Sequence, residues 1–159
     1  TSGDQYLTFL LAQEQYAVDI LCVEEIRSWE QPTKIPNAPS YIKGVINLRG
    51  VIIPIIDLRQ RFGQEPLEYN EQTVVIILRN QDKTKPMVVG IVVDAVSEVY
   101  KLDKKSIRKP PEFGNSIESC FLEGLASIEE KLIILLDSNS LLNHDELYTV
   151  NKETVMAHE

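Results

Sequence analysis

Apolar and β-branched residues come in short clusters along most of the chain, separated by polar or glycine-bearing breaks. Runs this short are strand-sized, and the breaks between them are turn-sized. YLTFLL (6–11) and QYAVDI (15–20) bracket the polar AQE, and KGVIN (43–47) and VIIPIIDL (51–58) bracket Leu48-Arg49-Gly50. TVVIILRN (73–80) and MVVGIVVDAV (87–96) flank QDKTKP (81–86), while EGLASI (123–128) and LIILLD (132–137) flank Glu129-Glu130-Lys131. Each pair reads as a hairpin, and Gly50 is free to take the positive φ that a tight turn needs. Four hairpins in succession predict a mainly β fold, a barrel or a sandwich.

Three stretches depart from that pattern. DILCVEEI (19–26) has Ile20, Val23 and Ile26 at three-residue steps, which suits a helical turn or a strand equally. DLRQRFG (57–63) predicts one helical turn, with Asp57 as cap and Gly63 as stop. SNSLLNHDELY (138–148) predicts a C-terminal helix, followed by a polar tail over 151–159. Pro54, inside VIIPII, calls for an edge strand or a bulge because it lacks the N–H of a ladder. Pro110 and Pro111 set an extended linker, and Trp29, at the head of a proline-dotted loop, is expected to pack in a core.

The chain also echoes itself. YIKG (41–44) is matched by FLEG (121–124), and VEEI (23–26) by VSEV (96–99). Asp57 and Asp137 each close an apolar strand 13 residues after the glycine. The shared order predicts a single domain over 1–150 made of two similar small β-barrels. Their sequence halves are about 5–70 and 73–147, with strands free to exchange between barrels, so the boundary near Tyr69 to Gln72 need not be the spatial one.

Composition narrows the function classes. At 159 residues, 43% hydrophobic and 25% charged, the chain has the makings of one globular domain. Its longest apolar run, VIIPII, falls far short of the ~20 residues of a membrane span, so no direct membrane insertion is expected. TSGDQY has neither the basic flank nor the apolar stretch of a signal peptide, and none is expected. A net charge of −8 disfavours nucleic acid and anionic lipid as partners. An oligonucleotide-binding barrel is disfavoured again by a 7% aromatic content with no basic stripe among the rings. Cys22 and Cys120 lie in no metal-type spacing, Cys22 reads as a buried thiol, and the pair favours a reduced, cytosolic setting.

Chemistry is sparse. His144 and His158 are the two histidines, neither beside a cysteine, and no HExxH, CxxC, phosphate-binding loop or dinucleotide fingerprint occurs. Catalysis by transfer or hydrolysis needs a base set against a nucleophile or metal. The expectation is therefore no enzyme, no metal site and no cofactor. A fold that brought His144 to Cys22 or Cys120 would favour the rival reading of an enzyme. Glu24-Glu25 and Glu129-Glu130 read as a helix face and a hairpin tip. Gly44, Gly90 and Gly124 each interrupt a strand-like run, which marks a bulge, a barrel corner, or close approach by another chain. Arg49 stands at the tightest turn of the most apolar segment, where a solvated turn residue and a contact residue are both consistent with its position.

These residues resemble the CheW-like family of bacterial chemotaxis coupling proteins. The resemblance runs from YLTFLLAQEQYAVDILCVEEI through IKGVINLRGVIIPIIDLRQRFG and GIVVDAVSEV to FLEGLA and LIILLD, over about Gln5 to Leu147. It implies two five-stranded, SH3-like β-barrels with short helical turns. The implied function is a non-enzymatic scaffold that links the cytoplasmic tips of methyl-accepting chemoreceptors to the regulatory domain of the histidine kinase CheA. Such a protein is cytoplasmic and recruited to membrane-associated receptor arrays. By position, the resemblance assigns Ile20, Val23, Glu25, Arg49, Val96 and Val99 to a receptor-facing region, with Arg49 pairing with Glu25. Gly44, Gly90 and Gly124 match positions whose alteration disturbs kinase coupling, directly or by misfolding. QDKTKP is longer than the corresponding turn of some relatives.

Overall fold

The computed structural model describes residues 4–11, 13–61, 68–79, 87–108 and 122–137. The predicted C-terminal helix, the QDKTKP turn, Pro110-Pro111, Cys120 and both histidines lie outside them. The strands are β1 (Asp4–Leu11), β2 (Glu14–Asp19), β3 (Val23–Ser28), β4 (Ile42–Leu48) and β5 (Val51–Asp57). They continue as β6 (Val74–Arg79), β7 (Val88–Val93), β8 (Ala95–Leu102), β9 (Leu122–Ile128) and β10 (Lys131–Leu136). A single α-helical turn, α1 (Leu58–Arg61), follows β5, and a 3-10 turn spans Ile20–Cys22. The stretch DILCVEEI thus divides, a helical turn first and a strand after it. The run 87–96, read as one strand, breaks at Asp94 into β7 and β8.

The strands form two five-stranded sheets of identical plan, ordered β8-β1-β2-β10-β9 and β3-β6-β7-β5-β4. Each contains one parallel pair, β2 with β10 and β7 with β5, among antiparallel neighbours. The second sheet is a continuous piece of chain, β3 to β7, inserted between β2 and β8 of the first.

Burial on both faces explains why these strands read as unbroken apolar runs rather than as alternations. In β1, Leu7, Phe9 and Leu11 face a core shared with the other sheet, while Tyr6 faces a core belonging to the first sheet. In β6, Ile76 and Leu78 enter the shared core, and Val75 and Ile77 a core of the second sheet. Phe9 and Ile76 are fully buried, and each such side chain is worth ~1.5–3 kcal/mol of burial. Trp29 packs on the second sheet's core, its ring centroid 4.1 Å from that of Tyr69.

Each sheet also bends back on itself. Thr33, beyond edge strand β3, exchanges two backbone hydrogen bonds of 2.9 and 2.8 Å with Val45 on the opposite edge, β4. Arg108, beyond β8, does the same with Leu125 on β9, at 2.8 Å both ways. Glycine makes both closures possible. Gly44 sits at a bulge with φ +144°, and a Cβ there would stand 2.2 Å from the Thr33 carbonyl oxygen. At Gly124 a Cβ would meet Ile107 Cγ2 at 2.5 Å and the Arg108 carbonyl oxygen at 2.7 Å. Gly90 lies in the second sheet's core, where a Cβ would be 2.7 Å from Ile55 and 2.8 Å from Val75.

Of the edge or bulge expected at Pro54, the edge is not found, since β5 runs between β7 and β4, whereas a bulge of β4 lies one pair away, between Ile42 and Gly44. The proline is tolerated because Val45, its partner on β4, spends both backbone groups on Thr33, leaving a pair without mutual hydrogen bonds. The parallel ladder to β7 starts one residue later, at Ile55.

Candidate docking surface

Edge strands β3 and β8 carry a bulge at corresponding places. On β3, Val23 lies opposite Leu78 and Ile26 opposite Ile76, with the register shifting between Val23 and Glu25. On β8, Val96 lies opposite Phe9 and Val99 opposite Leu7, with two residues, Ser97 and Glu98, set against Thr8. Side chains three apart on a regular strand point to opposite faces. One inserted residue brings both to the same face. Since Leu78, Ile76, Phe9 and Leu7 all belong to the shared core, the pairs Val23/Ile26 and Val96/Val99 carry that apolar layer out to the sheet edges. Val23 and Val96 are half-buried against the core, whereas Ile26 is 44% and Val99 48% exposed.

The 3-10 turn ahead of β3 adds to the same rim. Asp19 Oδ1 accepts a hydrogen bond from the Leu21 amide at 2.9 Å and caps the turn. Ile20 packs on the shared core, Cys22 is buried, and Leu21 stands 74% exposed at the apex.

Arg49 occupies the two-residue turn from β4 to β5 with φ 51°, followed by Gly50 at φ 88°. Two positive φ values in succession give the turn whose twist matches the strands. Asn47 Oδ1 accepts from the Gly50 amide at 2.9 Å and fixes it. The turn aims the Arg49 guanidinium across to β3, where Nη2 donates to Glu25 Oε1 at 2.8 Å. Arg27 Nη1 donates to the other oxygen, Oε2, also at 2.8 Å. The hydrogen bond from Arg49, then that from Arg27, holds the Glu25 carboxyl below its ordinary value, outweighing a smaller desolvation effect. With Arg49 72% exposed, water screens the pair, so its role is orientation more than stability. It presents a fixed cation beside the apolar rim.

A second polar cluster lies where the chain returns to the first sheet. Buried Asp57 caps α1 through Oδ1, which accepts from the amides of Arg59 at 3.0 Å and Gln60 at 3.4 Å. Its Oδ2 accepts from the Tyr69 hydroxyl at 2.7 Å. Burial first, and that hydrogen bond second, push the Tyr69 phenol above its ordinary value. Arg59 forms an ion pair with Asp94, whose amide donates to the Leu10 carbonyl at 3.0 Å. These groups line a cavity of about 210 Å³, and their mutual pairing fixes α1 against the crossover between sheets.

Of the residues assigned from the sequence, the structure joins Glu25 to Arg49 directly and gathers Ile20, Val23 and Val96 around one apolar core, with Val99 exposed beyond Leu7. Gly44, Gly90 and Gly124 are buried against this chain's own atoms. Ile26 and Leu21 were not assigned to the receptor-facing region. The match of VEEI to VSEV pairs Ile26 with Val99 and would have found it, whereas nothing in the sequence marks the exposure of Leu21.

A model of the CheW-like domain matches residues 5–146. The chain belongs to the CheW-like family. It is 47% identical to a chemotaxis protein CheW of Klebsiella aerogenes, over 95% of this chain and 89% of that one. A probable chemotaxis protein CheW of Rhizobium etli is 36% identical over 91% of each. Among solved structures, the scaffolding protein TtCheW of Thermoanaerobacter tengcongensis superposes with a TM-score of 0.76 at 39% identity, covering 84% of this chain and 88% of that one. The CheW-like protein is thus a chemotaxis scaffold built on two five-stranded β subdomains. Among the described residues, no helix is long and apolar enough to cross a membrane.

Proposed function

We propose that this CheW-like protein is a non-enzymatic adaptor that couples methyl-accepting chemoreceptors to the histidine kinase CheA and permits receptor control of the kinase. The observation that carries the proposal is the pair of bulged edge strands. They extend the shared core into an apolar rim beside a clamped arginine, a surface suited to an apolar partner with an acidic flank. Ile20, Val23, Glu25, Arg49, Val96 and Val99 form the receptor-facing side, and Ile26 joins them as the counterpart of Val99. Gly44, Gly90 and Gly124 act on kinase coupling through the fold, since each is packed against this chain itself. The protein works in the cytoplasm at receptor arrays, as one single-domain unit over 1–150.

Reconstitution tests the proposal. The protein is mixed with a receptor cytoplasmic fragment, with the kinase, and with both, and autophosphorylation is followed. Binding to each partner, with kinase activity raised only in the three-component mixture, is expected. Binding to neither, or turnover of a substrate by the protein alone, would overturn it.

A further inference from the structure

The bulge on β8 has a holder that the bulge on β3 lacks. Thr8 is fully buried in β1, and its hydroxyl donates to the Glu98 carbonyl at 2.7 Å while accepting from the Glu98 amide at 3.0 Å. One side chain thereby satisfies both backbone groups of the bulged residue. A disrupted ladder otherwise leaves such groups without partners. On β3 the corresponding position opposite the bulge is Ile77, which has no hydroxyl, and Glu25 is held there by its side chain, through Arg27 and Arg49.

We propose that Thr8 is a positioning residue for the receptor-facing surface: its hydroxyl fixes the β8 bulge, and the bulge sets Val96 and Val99 on one face. The inference rests on the receptor reading given above. Without the hydroxyl, the Glu98 amide and carbonyl lose their partner, and the cheapest remedy is for β8 to slip toward regular pairing with β1. Regular pairing sends two side chains three apart to opposite faces, so Val99 would leave the face that Val96 keeps. Thr8 touches no partner in this scheme and acts only through β8.

Three variants of the full chain test it. Thr8→Val keeps the shape and removes the hydroxyl, Thr8→Ser keeps the hydroxyl, and Val99→Asp strikes the surface itself. Amide hydrogen exchange at Glu98 reports the bulge, and titration with a receptor cytoplasmic fragment and, separately, with kinase reports the surface. Thr8→Val is expected to lose protection at Glu98 and to bind the receptor fragment about tenfold more weakly, with kinase binding unchanged. Thr8→Ser should restore both readouts. Unchanged protection at Glu98 in Thr8→Val would overturn the inference whatever the receptor does. Receptor binding intact in Thr8→Val but lost in Val99→Asp would overturn it alone. Receptor binding intact in Val99→Asp would overturn the receptor reading, and this inference with it.

Discussion

Replacing Gly44 by alanine should open the second sheet. The new methyl would stand 2.2 Å from the Thr33 carbonyl oxygen and 2.7 Å from its carbon, and the obstacle is backbone rather than a flexible side-chain end. Thr33 must therefore move, and its two hydrogen bonds to Val45 go with it. Each is worth ~1 kcal/mol net. To this is added the strain of an L-residue at φ +144°, ~1–3 kcal/mol. The sum, about 3–5 kcal/mol, corresponds to a melting temperature lowered by about 6–20 °C in a domain of this size. Gly50→Ala is the control, because Gly50 has φ +88° and nothing within 4 Å of a Cβ. Its cost is conformational alone, ~1–2 kcal/mol. Urea unfolding of the parent and both variants, compared at equal m-value, measures the difference. Equal losses in the two variants, or a Gly44→Ala protein as stable as the parent, would refute the closure argument.

Other outcomes follow from the polar contacts. Arg49→Ala should melt cooperatively near the parent temperature while receptor-fragment affinity falls about tenfold by titration calorimetry; parent-like affinity would remove Arg49 from the surface. Because the folded Glu25 carboxyl lies below its ordinary 4.5, its stabilising effect is present above that value and is lost as pH falls through the lower folded one. Any melting advantage of the parent over Glu25→Gln at about pH 7 should therefore shrink as pH falls below 4.5, and an advantage that grew on acidification would contradict the pairing. Tyr69→Phe takes a donor from buried Asp57 and should cost ~1–3 kcal/mol by chemical denaturation; a neutral result would mean that water replaces the hydroxyl.

Much of the fold was legible because strand-sized apolar runs and turn-sized breaks alternate so regularly. Each of the four hairpins formed where the pattern put it, and Asp57 caps the helical turn assigned to it. What escaped depends on who pairs with whom. Pro54 looked like an edge or bulge residue, since nothing near it in sequence says that Val45 bonds to Thr33 instead. DILCVEEI gave equal signals for helix and strand because a 3-10 turn runs into a strand whose bulge breaks the two-residue alternation, and the same bulge makes Ile26 a surface residue. Thr8 was invisible for a similar reason: a threonine inside an apolar strand is unremarkable until its hydroxyl is seen on the backbone of Glu98, 90 residues away. The pairing of Arg49 with Glu25 came from the family resemblance, and the turn geometry now supplies its physical cause.

The insertion of one sheet within the other also fixes an order of events during synthesis. All five strands of the inner sheet have been made once Val93 leaves the ribosome, so that sheet can close early with its own glycine-dependent bridge. The strands translated first, β1 and β2, must wait for β8 and β10 before their sheet has its neighbours. In the interval their apolar face, with Leu7, Phe9, Leu11 and Val18, has one natural shelter: the finished inner sheet, whose Ile76, Leu78, Ile91 and Val93 it covers in the native state. The middle of the chain thus serves as a nursery for its beginning, and a variant that delays the inner sheet would expose the N-terminal hairpin to aggregation before the fold is complete.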